Sequence, residues 1–190
     1  NLNQKEKSLF KKYLDPNDVS FYKIRDSKKK LLYSDKIVKT EIQTNIDYSR
    51  VKEHLDNFSQ FITSSNKPYG LHRAREEKFF EKPKIIFKGM FKEPEFYFDE
   101  EGYYFGFSFS SIIQNESKKS LKYLLAILNS KLAMIWFNTN GKQRGTGVDI
   151  GVKKLRKFPI NYKEDYVPVL EELVDKISKH ISDEIDQLEV

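Results

Sequence analysis

The chain has 190 residues, a formal net charge of +6 and no cysteine. That length buries one substantial core, so one domain with an appendage is expected; the absence of cysteine excludes a disulfide framework and a thiolate metal site, and fits a reducing cytoplasm. No apolar run approaches the roughly 20 residues that span a bilayer, and the charged opening is not that of a signal peptide, so no membrane contact is expected.

The charge is uneven. Residues 1–158 hold 31 basic and 19 acidic side chains, a balance of +12, whereas residues 159–190 hold 3 and 9, a balance of −6. A basic body with an acidic tail points to a polyanion on one part and a protein or solvent contact on the other; a solvated lysine-rich surface is the competing explanation. Beginning at Asn1 rather than Met, the sequence reads as a piece of a longer protein.

In chain order, Leu9, Phe10, Tyr13 and Leu14 fall at helical spacing and predict an opening helix that stops at Asp15-Pro16-Asn17-Asp18. Residues 19–24 and 31–38 read as short strands around a basic turn at 25–30. Ser49 is a candidate cap for a helix whose apolar positions Val51, Leu55, Phe58 and Ile62 step by four and three. Its end is marked by Ser64, Ser65, Asn66 and Pro68.

A basic segment follows, with Lys67, His72, Arg73 and Arg75 just ahead of Lys82 and Lys84. Arg73 and Arg75 alternate on extended chain, so one is expected to pair with Glu76 or Glu77 and the other to face a ligand. His72 reads as a surface or hydrogen-bonding residue, because His54 and His180 offer no metal-ligand spacing.

Ten aromatic residues lie between Phe87 and Phe109. Residues 84–91, 95–98 and 103–109 predict strands, with residues 99–102 as the hairpin loop joining the last two. The run from Gly102 to Phe107 fits an RNA-binding aromatic signature poorly, since an acid precedes the glycine and Tyr104 stands where a small residue is wanted. Alternate aromatics holding a core is the favoured reading.

Ser117 or Asn115 can cap a helix over residues 118–137, in which Leu121, Leu124, Leu125, Leu128, Leu132 and Ile135 form one apolar stripe. Trp136 sits near its end, and Asn129-Ser130 is an unfavourable pair at mid-helix that can bond to nearby backbone.

Residues 139–158 carry six basic residues against one acid, with Gly141, Gly145, Gly147 and Gly151 interspersed. Glycine lets a backbone pass close to a ligand or adopt positive φ. Lys142 and Arg144 have the chemistry to bridge guanine O6 and N7, and Gln143 to pair with adenine N6 and N7. Thr146 completes this set, while Lys153, Lys154, Arg156 and Lys157 suit backbone phosphates. A solvated glycine loop is the alternative. The glycine spacing misses the dinucleotide fingerprint and follows a helix, which excludes a nucleotide fold.

From Val167 onward, Leu170, Val174, Ile177, Ile181, Ile185 and Leu188 make a narrow seam through acidic surroundings. The expected organisation is a recognition domain over residues 1–163 and an amphipathic helix over 164–190 that packs on this domain or a neighbouring one. The fold class expected is mixed α/β (α+β), a twisted sheet with an aromatic hairpin flanked by helices.

No Asn/Asp-Pro-Pro-Tyr/Phe motif for amino methylation is present, and no Phe-x-Gly-x-Gly loop for S-adenosylmethionine. Glu76-Glu77-Lys78 contains an acid–x–lysine pair, but no Pro-Asp lies suitably upstream for a restriction nuclease. The chain therefore reads as non-catalytic, with no cofactor of its own.

The ordered set of Leu71-His72-Arg73-Ala74-Arg75, residues 80–86, the helical run 123–132 and the glycine loop ending in Leu155-Arg156-Lys157-Phe158-Pro159-Ile160 resembles the TaqI-like C-terminal specificity domain of DNA-modification enzymes. The last segment also looks like the close of recognition domains in type I specificity subunits. One departure is Lys67-Pro68-Tyr69-Gly70, where many relatives place a tryptophan. The resemblance implies a mixed α/β domain that docks on double-stranded DNA in the major groove. It would work beside an adenine-N6 methyltransferase domain that uses S-adenosylmethionine and flips the target base, with Mg needed if the parent also cleaves. Rival classes are a stand-alone nuclease and a protein- or RNA-interaction module built on the aromatic sheet and acidic helix.

Overall fold

The computed structural model describes residues 1–20, 22–24 and 27–188, without the side chains of Ser20, Lys23, Ser182 and residues 184–188. The expected turn at 25–30 therefore lies partly outside the described residues, as do the seam side chains of Ile185 and Leu188.

The fold is mixed α/β, as expected, but its sheets are small. The opening helix is only α1 (Gln4–Ser8); the apolar residues beyond it form β1 (Phe10–Leu14). The chain then forms β2 (Val19–Ser20), β3 (Lys23–Ile24) and β4 (Lys30–Leu32) before α2 (Lys36–Thr44) and α3 (Ser49–Asn57). The predicted strand at 31–38 thus ends early, because the Asp35 carboxylate accepts the N–H groups of Ile37 and Val38 at 2.9 Å and starts a helix.

Ser49 does not cap α3. Tyr48 holds the cap position without a side-chain bond, and the role falls to Glu6 of α1, whose Oε1 accepts the N–H groups of Arg50 (2.9 Å) and Val51 (3.2 Å). Its Oε2 accepts the N–H of Asn3 at 3.0 Å. Burial raises the Glu6 carboxyl, but those backbone donors outweigh it and hold the group below its usual value. One buried carboxylate thus ties α1 to α3 around Leu9, Ile42, Tyr48 and Val51.

After α4 (Lys78–Glu81) come β5 (Lys84–Lys88), β6 (Met90–Phe91), β7 (Phe96–Asp99), β8 (Tyr104–Phe105) and β9 (Phe109–Ile113). The predicted hairpin between the last two aromatic segments is not formed. β5 is central, antiparallel to β7 on one side and to β9 on the other, and β8 leaves to pair in parallel with β1. Asp99 redirects the chain there: its carboxylate accepts the N–H groups of Glu101 (2.9 Å) and Tyr103 (3.0 Å) and pairs with the buried ammonium of Lys84. Nine of the ten aromatics stay off the open surface, while Phe107 is fully exposed. Phe80 stacks on Tyr104 at 4.5 Å, so these rings build core rather than a stacking platform.

The expected single helix at 118–137 is two, α5 (Leu121–Leu128) and α6 (Lys131–Asn140). Ser120, not Ser117 or Asn115, caps the first, and Ser130 caps the second. Asn129 turns its amide onto the sheet, accepting the Phe96 N–H at 3.1 Å and donating to the Phe96 carbonyl at 3.0 Å. The break rotates Leu132 and Ile135 out of the predicted stripe to exposure.

The chain ends with β10 (Lys142–Arg144), β11 (Gly147–Asp149), α7 (Gly151–Leu155) and α8 (Val167–Leu188). α8 packs along α5 and buries Val174 in the main core. Ser120 donates to Glu171 at 2.5 Å and Lys122 pairs with Asp175 at 2.7 Å across that contact. Among the described residues no helix is long and apolar enough to cross a membrane.

Candidate nucleic-acid interface

The glycine-rich segment is an anchored ribbon rather than a loop. β10 and β11 pair antiparallel with Arg144 opposite Gly147, and β11 continues the sheet onto β6. Val148 and Ile150 are buried in the main aromatic cluster, so the base of the ribbon is fixed.

Two glycines make this path possible. A Cβ at Gly141 would lie 2.1 Å from Val148 Cγ1 and 2.6 Å from the Phe137 carbonyl oxygen, so only glycine lets the chain turn off α6 into β10. Gly145 takes φ +55° at the first corner of the two-residue turn Gly145-Thr146, the position at which type II′ hairpins place glycine.

Strand alternation divides the predicted base readers. Lys142 and Arg144 share one side of β10, with Asp149 opposite Lys142 in the register and 3.7 Å from the Arg144 guanidinium. Gln143 falls on the other side and donates to the Asn138 carbonyl at 3.3 Å. Thr146 is exposed at the tip.

α7 extends the basic surface. Leu155 and Phe158 pack against the core, which leaves Lys153, Arg156 and Lys157 exposed. Lys154 differs, because its ammonium donates to the Asn140 carbonyl at 2.9 Å and so satisfies the end of α6. Among the described residues, Lys142, Lys153, Arg156 and Lys157 make no ion pair, whereas Lys5, Lys11, Lys12, Lys29, Lys52 and Lys78 are all spent on carboxylates.

The second predicted cluster is held elsewhere. Leu71 N–H donates to the Ser34 carbonyl at 3.0 Å, and the Tyr33 hydroxyl donates to the Arg75 carbonyl, so the backbone of 71–75 is pinned at both ends. His72, Arg73 and Arg75 point into solvent, with Ser65 Oγ 3.0 Å from His72 Nδ1. The expected pairing of one arginine with Glu76 or Glu77 does not occur, because Lys78 takes Glu76 at 2.5 Å and Lys11 takes Glu77 at 2.9 Å. Lys84, which the sequence groups with these cations, is fully buried. Burial pushes its ammonium down against the opposing pull of Asp99, and it also donates to the Phe80 carbonyl.

Sequence reasoning missed Asp149 as the neighbour of both ribbon cations and missed the lysines of α2. A helical signal for α2 was present in the cap Asp35 and the i, i+4 pair Val38 and Ile42.

A comparison with curated proteins returns no match. Residues 3–160 match the model of the TaqI-like C-terminal specificity domain, and since that is most of the 190-residue chain, the protein belongs to this family of restriction-modification specificity domains.

Proposed function

We propose that this domain reads the DNA site for an adenine-N6 methyltransferase of a restriction-modification system, with the β10–β11 ribbon in the major groove. The observation that carries the reading is the anchored, exposed ribbon bearing Lys142 and Arg144 side by side. A major groove about 12 Å wide admits a two-stranded ribbon, and an arginine there can bridge guanine O6 and N7. The exposed cations Lys153, Arg156 and Lys157 flank it and hold phosphates, which fixes register without reading sequence. Asp149 orients Arg144 and favours a cytosine N4 donor over a second acceptor nearby.

The chemistry belongs to a separate domain, which transfers the methyl group from S-adenosylmethionine to the flipped adenine. No residue of this chain is assigned to hold that cofactor or a metal ion.

The test is methylation by the enzyme carrying this domain, across a panel of single-base variants of its site. Arg144→Ala should cost about 1–3 kcal/mol on the cognate site and relax discrimination at one position. Lys157→Ala should weaken all duplexes alike and reduce the salt slope by about one unit. If Arg144→Ala scales every site down by one common factor, the ribbon is only a phosphate clamp.

A further inference from the structure

A cleft of about 430 Å³ opens between α2 and the segment carrying His72, Arg73 and Arg75. Lys36 and Lys39 of α2 line it from one side, and Arg73 and Arg75 from the other. Its two acids are engaged elsewhere: Asp35 caps α2 through Ile37 and Val38, and Glu76 pairs with Lys78. None of the four cations makes an ion pair among the described residues, whereas Lys11 and Lys78 are paired with the neighbouring Glu77 and Glu76.

The cleft is also shaped around one of these cations. A Cβ at Gly70 would lie 3.1 Å from Lys39 Cδ and 3.0 Å from Asn66 Cβ, so the bare glycine gives the lysine stem its passage. The wall is rigid as well, because the 71–75 backbone is bonded to Ser34 and Tyr33. Four permanent charges on two fixed elements, with no carboxylate paired to them among the described residues, suit a polyanion backbone.

We infer that this cleft is a second phosphate-binding surface, in which Lys36, Lys39, Arg73 and Arg75 grip the DNA backbone at a distance from the ribbon. The inference rests on the reading above that the bound polymer is duplex DNA. The cleft and the ribbon are joined through the body of the domain. Arg75 is bonded to Tyr33, whose ring meets Phe80, whose carbonyl takes Lys84 at one end of β5, while Ile150 bonds to Gly89 just past the other end.

The experiment measures binding of the domain-bearing enzyme to cognate and unrelated duplexes over a series of salt concentrations. Two neutralised phosphates contribute a log–log slope of about −1.8, so Lys36→Gln with Lys39→Gln should make the slope shallower by about that amount and weaken both duplexes equally. Lys36→Arg with Lys39→Arg should retain the wild-type slope, which separates charge from a general disturbance of α2. A glutamine variant with unchanged slope, alongside a Lys157→Ala variant whose slope does fall, would overturn the cleft and leave the ribbon reading intact. A glutamine variant that changes the preferred site would overturn the phosphate assignment. A flat salt curve for the wild-type enzyme would end both readings together.

Discussion

The aromatic sheet of β5, β7 and β9 and the ribbon of β10 and β11 lie in one molecule and share one core, yet they treat charge in opposite ways. In the sheet, Lys84 is sealed against Asp99 and Lys88 lies 3.4 Å from Glu95. On the ribbon and α7, Lys142, Lys153, Arg156 and Lys157 stay exposed and make no ion pair among the described residues, and Asp149 is the one acid among them. The difference teaches that net charge in a sequence is not binding capacity. A cation becomes available to a polyanion only where the fold leaves it without a carboxylate and holds it on fixed backbone.

The sharpest way to break this comparison is at Lys84. Lys84→Met should destabilise the domain by about 3–5 kcal/mol, because it leaves the Asp99 carboxylate buried without its counter-charge. Adding Asp99→Asn should recover part of that loss, since no buried charge then remains. Urea unfolding measures both. A small stability change accompanied by a large loss of DNA affinity would place Lys84 with the binding cations instead.

Gly141→Ala tests placement with every charge retained. The added methyl meets Val148 and the Phe137 carbonyl, and such overpacking costs about 1–3 kcal/mol. Thermal unfolding should shift down, and DNA binding should weaken with it, because the ribbon is pushed off α6. Wild-type behaviour in both measurements would mean that the ribbon's position does not matter to binding.

Lys88→Ala should do least. Its ion pair with Glu95 is partly exposed, which limits the stability change to about 1 kcal/mol or less. Because that lysine is committed inside the sheet, the salt slope of DNA binding should not move. A slope reduced by a full unit would show that a paired lysine also reaches phosphate, and the contrast between the two regions would fall.

Much of this was legible in the sequence wherever the determinant is local. The awkward Asn129-Ser130 pair and the apolar seam of α8 each depend on neighbours within a few residues, whereas the cap of α5 falls on Ser120 rather than on the expected Ser117 or Asn115. The glycines at 141 and 145 also announce themselves, since a close approach and a positive φ leave a compositional trace. What was misread depends on partners distant in the chain. Leu9 to Leu14 have helical spacing, but β4 and the parallel β8 offer the backbone hydrogen bonds that make Phe10–Leu14 a strand. Ser49 is a sound cap by local rules and is displaced by Glu6, 44 residues away from Arg50.

Sequence alone therefore determined the element types with strong local periodicity, the family to which the chain belongs, and the concentration of cations around residues 139–158. Tertiary structure decided which cations remain usable. Lys84 lies in the same basic stretch as Lys82, yet it is buried because β5 runs through the middle of its sheet. Lys36 and Lys39 gain their neighbours Arg73 and Arg75 only because Leu71 and Arg75 bond back to Ser34 and Tyr33. Pairing and desolvation are set by distances in space between residues far apart in the chain, and no local pattern encodes those distances.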